Sequence, residues 1–152
     1  MALLEKKVTV KKSGLSNAGN GLFAKDFIPK NMLIVEYKGK ITNWKDVDDN
    51  DGNNGYIYYV KRDHVIDASK HTKALARYAN DARGLRRTKG LINNAEYVEI
   101  GTKVFIKSNK DIAAGTEIFV EYGKEYWDVI KHNQKVEKER QKKLQGALRK
   151  SK

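Results

Sequence analysis

Along most of this chain, apolar residues come in short alternating or clustered runs broken by turn-forming residues. Val8 and Val10 alternate with Thr and Lys, the period-two pattern of a half-buried strand. Residues 21–24 (GLFA), 32–37 (MLIVEY), 56–61 (YIYYVK), 97–100 (YVEI), 103–107 (KVFIK) and 117–122 (EIFVEY) are rich in branched and aromatic side chains and predict further strands. Residues 64–67 (HVID) form a short apolar run ending in a turn. Between these runs lie a Gly/Ser/Asn loop at 14–21, a turn at Pro29, an acidic loop at 46–55, a basic loop at 82–90 and a tight turn at 111–115. Ser69 predicts the cap of a helix of about two to three turns through Tyr78, with Leu75, Tyr78 and Ala79 on one face. From Glu125 onward the composition favours a helix. Its apolar residues, Tyr126, Trp127, Val129 and Ile130, come early, and Glu139 and Lys143 follow as an i,i+4 pair. Many short strands with few helices predict a β-dominated α+β domain.

Length sets the scale: 152 residues suffice for one domain around one core. The expected division is a domain over 1–127 and a basic C-terminal helix or tail over 128–152. No apolar stretch approaches the ~20 residues of a membrane span. Residues 1–12 carry no apolar signal-peptide core, so the expectation is an intracellular protein, cytoplasmic or nuclear, without a membrane partner. The absence of cysteine excludes disulfides, cysteine-ligated metal centres and thiol catalysis. His64, His71 and His132 are scattered and predict no metal site. Net charge is +12, from 31 Lys and Arg against 19 Asp and Glu. Residues 124–152 hold ten basic and four acidic residues, half of that excess. The excess suits either a polyanionic partner such as nucleic acid or a nucleosome, or simple solubility.

Four segments, in this order, resemble the SET domain of protein lysine methyltransferases. The first is the A-G-N-G-L-F-A run from Ala18 to Ala24, and the second is Tyr37-Lys-Gly39. The third is Asp67-Ala68 followed by Ala76-Arg-Tyr-Ala-Asn80 and, after a gap, Asn93-Asn94. The fourth is the D-I-A-A-G-T-E-I-F-V-E-Y-G block from Asp111 to Gly123. Each motif is weak alone; their order and spacing are specific. Without cysteines the zinc-binding flanks of many members are absent, so the chain resembles the compact viral- or bacterial-type SET domains. The resemblance implies a fold of several short curved sheets with a knot-like C-terminal packing. It also implies S-adenosylmethionine-dependent methylation of a lysine.

The resemblance assigns site residues one by one. Ala18, Gly19, Asn20 and Gly21 would contact the methionine end of the cofactor, the glycines permitting close backbone approach. Asn80 would hold the cofactor's amino group through its side-chain oxygen. Arg77, Tyr78, the backbone of Asp81, Tyr122 and Trp127 would line the rest of that pocket. Tyr122 is the principal catalytic candidate, with Tyr37 beside it; Tyr97 and Val120 would complete a lysine channel. An aromatic channel next to a sulfonium lowers the pKa of the entering amine by desolvation and like-charge repulsion. Read without the resemblance, the glycines are an ordinary turn and Asn80 a helix C-terminal residue. The tyrosines are then core residues with hydroxyls at the edge.

Two departures stand out. Asp81 occupies the position where the family usually has His. Thirteen residues separate Asn80 from Asn94 where the family has five, and the longer stretch carries Arg83, Arg86, Arg87 and Lys89. The expected partner is a protein with a target lysine in a basic, histone-like segment. Glu36 and the loop residues Asp46, Asp48, Asp49 and Asp51 would offset the basic charge of both molecules. A nucleosome or nucleic-acid contact through the basic loop and tail, and a homodimer, stay open. The competing reading is a non-catalytic nucleic-acid- or chromatin-binding module that keeps a SET-like fold.

Overall fold

The computed structural model describes residues 3–15, 18–47, 56–82 and 90–122, together with Glu139, Lys142 and Lys143, which are helical and exposed. The division at residue 127, Trp127 itself, the acidic stretch 48–55 and the basic stretch 83–89 lie outside the described residues.

Three small antiparallel sheets carry the domain. β1 (Val8–Lys12), β2 (Asn20–Ala24) and β9 (Glu117–Ile118) form the first, in the order β1-β2-β9. β3 (Leu33–Glu36), β8 (Lys103–Ser108) and β7 (Ala95–Ile100) form the second, in the order β3-β8-β7. β4 (Lys40–Thr42), β6 (His64–Asp67) and β5 (Ile57–Lys61) form the third, in the order β4-β6-β5. No single sheet is large enough to bury its own apolar face, so the three close on one another. Leu22, Val35, Ile66, Ile106 and Ile118, drawn from all three, sit in one buried cluster. Each such side chain contributes about 1.5–3 kcal/mol by leaving water.

The strands follow the predicted runs to within two residues at most ends, and β4 is an addition. The helix expected from Ser69 to Tyr78 does not form. Instead the chain turns at Ser69–Lys70 and makes one 3-10 turn over Leu75–Tyr78. Local side chains compete with the helical ladder. The Asp67 carboxylate accepts the Ser69 N–H, Arg77 Nη1 donates to the carbonyls of Ala68 and Ser69, and the Tyr78 hydroxyl donates to the Thr72 carbonyl.

Residues 117–120 thread the centre. Ile118 pairs with Leu22 of β2, Phe119 makes a parallel bridge to Asn80, and Val120 makes another to Ala95. Asn94, nearly buried, closes around this segment. Its Nδ2 donates to the Glu117 carbonyl, while its Oδ1 accepts the Phe119 N–H. The C-terminal segment therefore lies between Asn80 on one side and Asn94–Ala95 on the other. This is the physical content of the knot-like packing, and the fold is of the SET type.

Candidate active site

Ser13 and Gly14 close over a buried carboxylate. Glu117, 6% exposed, accepts the Ser13 hydroxyl at 2.6 Å on Oε2 and the Gly14 N–H at 2.9 Å on Oε1. The Leu15 N–H caps Ser13 Oγ, and the Ser13 N–H closes the loop on the Gly19 carbonyl. Gly21 makes room for this carboxylate: a Cβ there would stand 2.2 Å from Glu117 Oε2. Gly19 differs. Its φ is +66°, and nothing lies within 4 Å of where its Cβ would be, so its backbone faces open space. Ala18 packs against the small cluster of Leu15, Ala82 and Phe119. The sequence reading passed over Glu117; its signal was an acidic residue followed directly by the apolar Ile118-Phe119-Val120.

Asn80 joins this loop to the threaded segment. Its Nδ2 donates to the Asn20 carbonyl at 3.0 Å, and its own carbonyl accepts the Val120 N–H at 2.8 Å. With Nδ2 so committed, Oδ1 is the end the amide presents as an acceptor. An open Gly19 backbone beside a fixed amide acceptor fits the amino-acid end of S-adenosylmethionine. Arg77 donates to the carbonyls of Ala68 and Ser69, and its guanidinium carbon lies 4.0 Å from the Tyr56 ring centre and 5.2 Å from that of Tyr78.

Four tyrosine rings converge, one of them, Tyr122, bonded to the residues on either side of Asn80. Tyr97 lies 5.9 Å from Tyr37, 5.2 Å from Tyr58 and 6.3 Å from Tyr122, centre to centre, and Tyr37 lies 6.0 Å from Tyr58. The motif glycine Gly39 sets Tyr37. A Cβ there would strike the Asp67 carbonyl at 2.6 Å, so only glycine lets the Tyr37-Lys-Gly39 segment lie on the Asp67-Ala68 turn. Tyr37 is buried and donates its hydroxyl to the Tyr56 carbonyl at 2.7 Å. The Tyr122 hydroxyl donates to the Ala79 carbonyl. Val120 is fully buried in the core, one strand position in from Tyr122 on the same side of the backbone.

Tyr58 is the member of this ring cluster that sequence reasoning missed, though the Y-I-Y-Y run held the signal. Its hydroxyl donates to Glu99 Oε1 at 3.1 Å. Burial, then the Glu99 charge and this hydrogen bond, push its pKa up to about 12, so the phenol is neutral at physiological pH. Glu99 itself is exposed, two residues from Tyr97 on the same face of β7, and sets a carboxylate at the edge of the ring cluster.

Asp81 is 4% exposed and fully engaged. Its Oδ2 accepts the Tyr122 N–H and its Oδ1 accepts Asn93 Nδ2, each at 2.9 Å. Among the described residues no group of three or more His, Cys, Asp or Glu is placed to hold a metal, and no helix is long and apolar enough to cross a membrane.

Comparison with known proteins matches this arrangement. The H3 lysine-4-specific histone-lysine N-methyltransferase of Schizosaccharomyces pombe is 28% identical over 109 residues, which make up 67% of this chain and 11% of that protein. The chain thus spans about a ninth of that relative's length. The methyltransferase domain of human PR domain-containing protein 2 superposes with a TM-score of 0.58 at 27% identity, over 79% of each chain. The family model of the SET domain matches residues 19–123, which include Gly19 and Gly21, the tyrosine cluster and the threaded segment. The chain belongs to the SET-domain family.

Proposed function

We propose that this chain is an S-adenosylmethionine-dependent protein-lysine N-methyltransferase acting on a lysine in a basic, histone-like segment. The observation that carries this reading is the convergence of Tyr37, Tyr58, Tyr97 and Tyr122, the last of which is hydrogen-bonded to Ala79 and Asp81, the two neighbours of Asn80. Bound S-adenosylmethionine would supply an electrophilic methyl group on a sulfonium. Gly19, Asn20 and Asn80 are the residues to hold its amino-acid end, with the backbone around Asp81 alongside.

The chain's own contribution is orientation and solvent exclusion. The tyrosine cluster admits an aliphatic lysine stem and strips water from its amine, which favours the neutral nucleophile. Tyr122 has spent its proton on Ala79, so its oxygen acts as an acceptor. It would orient the amine and accept weak C–H···O contacts from the methyl group of a bound cofactor. Glu99 at the rim favours a cationic residue next to the target lysine, which suits histone-like sequences. Nuclear residence follows from that substrate class.

The test is methyl transfer to a panel of histones and basic peptides, read by mass spectrometry, with cofactor binding followed by calorimetry. Tyr122→Phe should keep cofactor binding and lose most of kcat with little change in KM. A chain that gives no calorimetric heat with the cofactor, or a Tyr122→Phe variant with wild-type turnover, overturns the reading.

A further inference from the structure

We infer that Asp81 and Asn93 form a clasp that positions Tyr122 and lets this SET domain carry its long 82–93 connection. The inference rests on the methyltransferase reading above. The hydrogen bonds run in one consistent direction. The Ala82 N–H donates to Asn93 Oδ1 at 2.8 Å, Asn93 Nδ2 donates to Asp81 Oδ1 at 2.9 Å, and the Tyr122 N–H donates to Asp81 Oδ2 at 2.9 Å. Asp81 thus receives two N–H donors at a site that is 4% exposed. A neutral imidazole offers a single ring acceptor and a carboxylate offers two oxygens, so the histidine usual at this position would leave one donor unmet. Asp at 81 and Asn at 93 therefore belong together as one device.

The clasp has two consequences for the site. It ties the two ends of the long connection to each other, Asp81–Ala82 to Asn93, so residues between them can vary without moving Asn80 or Asn94. It also completes a two-point hold on Tyr122. The backbone nitrogen is fixed by Asp81 and the hydroxyl by the carbonyl of Ala79, two residues earlier in the same strand-like segment. With both ends of the side chain's span anchored to one rigid segment, the phenol oxygen keeps a defined place relative to Asn80. Asp81 is thus a positioning residue for Tyr122.

An exchange of the two side chains tests this. Asp81→Asn puts an amide nitrogen against an N–H donor, and Asn93→Asp puts two carboxylates face to face. The double exchange Asp81→Asn/Asn93→Asp restores every donor–acceptor match with the charge moved to position 93. The expected result is a fall in kcat of roughly tenfold or more in each single variant, with peptide KM little changed. Recovery of most of that loss is expected in the double variant. Hydrogen exchange at the Tyr122 amide, in tyrosine-labelled protein, should quicken in the singles and slow again in the double. If the wild-type chain transfers no methyl group, the methyltransferase reading fails, and the amide exchange still tests the clasp. A single Asp81→Asn variant with wild-type kcat and exchange overturns the inference, as does a double variant as impaired or as poorly folded as the singles.

Discussion

Replacing Gly21 with alanine tests the link between the glycine loop and the buried carboxylate. The added Cβ would lie 2.2 Å from Glu117 Oε2, 2.9 Å from its Cδ and 3.2 Å from Ser13 Cβ. The carboxylate has to move, and it is the acceptor of the Ser13 hydroxyl and the Gly14 N–H. Hydrogen bonds to a charged group are worth about 1.5–3 kcal/mol each, and forcing a carbon into a packed site costs about 1–3 kcal/mol. With partial relaxation the expected loss is about 3 kcal/mol, a fall in melting temperature of about 6–12 °C for a domain of this size. Gly19→Ala meets no neighbour and bears only the left-handed backbone penalty, about 1–2 kcal/mol. Removing the obstacle removes most of the clash, so Gly21→Ala and Glu117→Ala should combine to much less than their sum. Urea denaturation of the four proteins supplies the cycle. A Gly21→Ala variant within about 0.5 kcal/mol of wild type, or strict additivity with Glu117→Ala, refutes the steric account.

Two further outcomes follow from the tyrosine cluster. The Tyr58 phenol is held protonated to about pH 12 in the folded chain, against about 10 unfolded, so its contribution to stability is complete below pH 10 and is lost as pH rises toward 12. Tyr58→Phe should flatten that part of the stability profile and remove one high-pH phenolate transition from an ultraviolet titration; an unchanged titration would detach Tyr58 from Glu99. Tyr97, centred among the other rings, should restrict the wild type mainly to one or two methyl groups. Tyr97→Phe should then shift product toward higher methylation without a faster first step, and trimethyl-lysine as the main wild-type product would remove Tyr97 from that role.

The strands were legible because their apolar runs are local and bounded by turn residues. Tyr122, Tyr97, Tyr37 and Asn80 were legible through motif order, and the structure gathers them in one place. What the sequence hid depends on partners far along the chain. Glu117 reads as one more acidic residue until it meets Ser13, 104 positions away. Asp81 stands out in the sequence only as a departure from the family's usual His, whereas its oxygens meet Tyr122 41 positions later and Asn93 twelve later. The Ser69 helix failed for the opposite reason: its propensities were sound, but Asp67, Arg77 and Tyr78 bind nearby backbone groups in ways a helix forbids. Arg77 and Tyr78 accordingly hold that turn.

The threaded segment has a consequence for biosynthesis. Ser13 and Gly14 take their fixed places only when Glu117 reaches them, and Leu22 only gains its second strand neighbour from Ile118. A ribosome delivers residues in order, so Ser13 and Gly14 at the start of the domain lack their carboxylate anchor until the last motif has left the exit tunnel. Contacts this distant in sequence slow folding, because loop closure must be met before they form. A nascent chain arrested short of residue 117 would therefore hold Gly19, Asn80 and three of the four clustered tyrosines without the segment that ties them together. Completion of the candidate site is thereby timed to the end of translation of the domain.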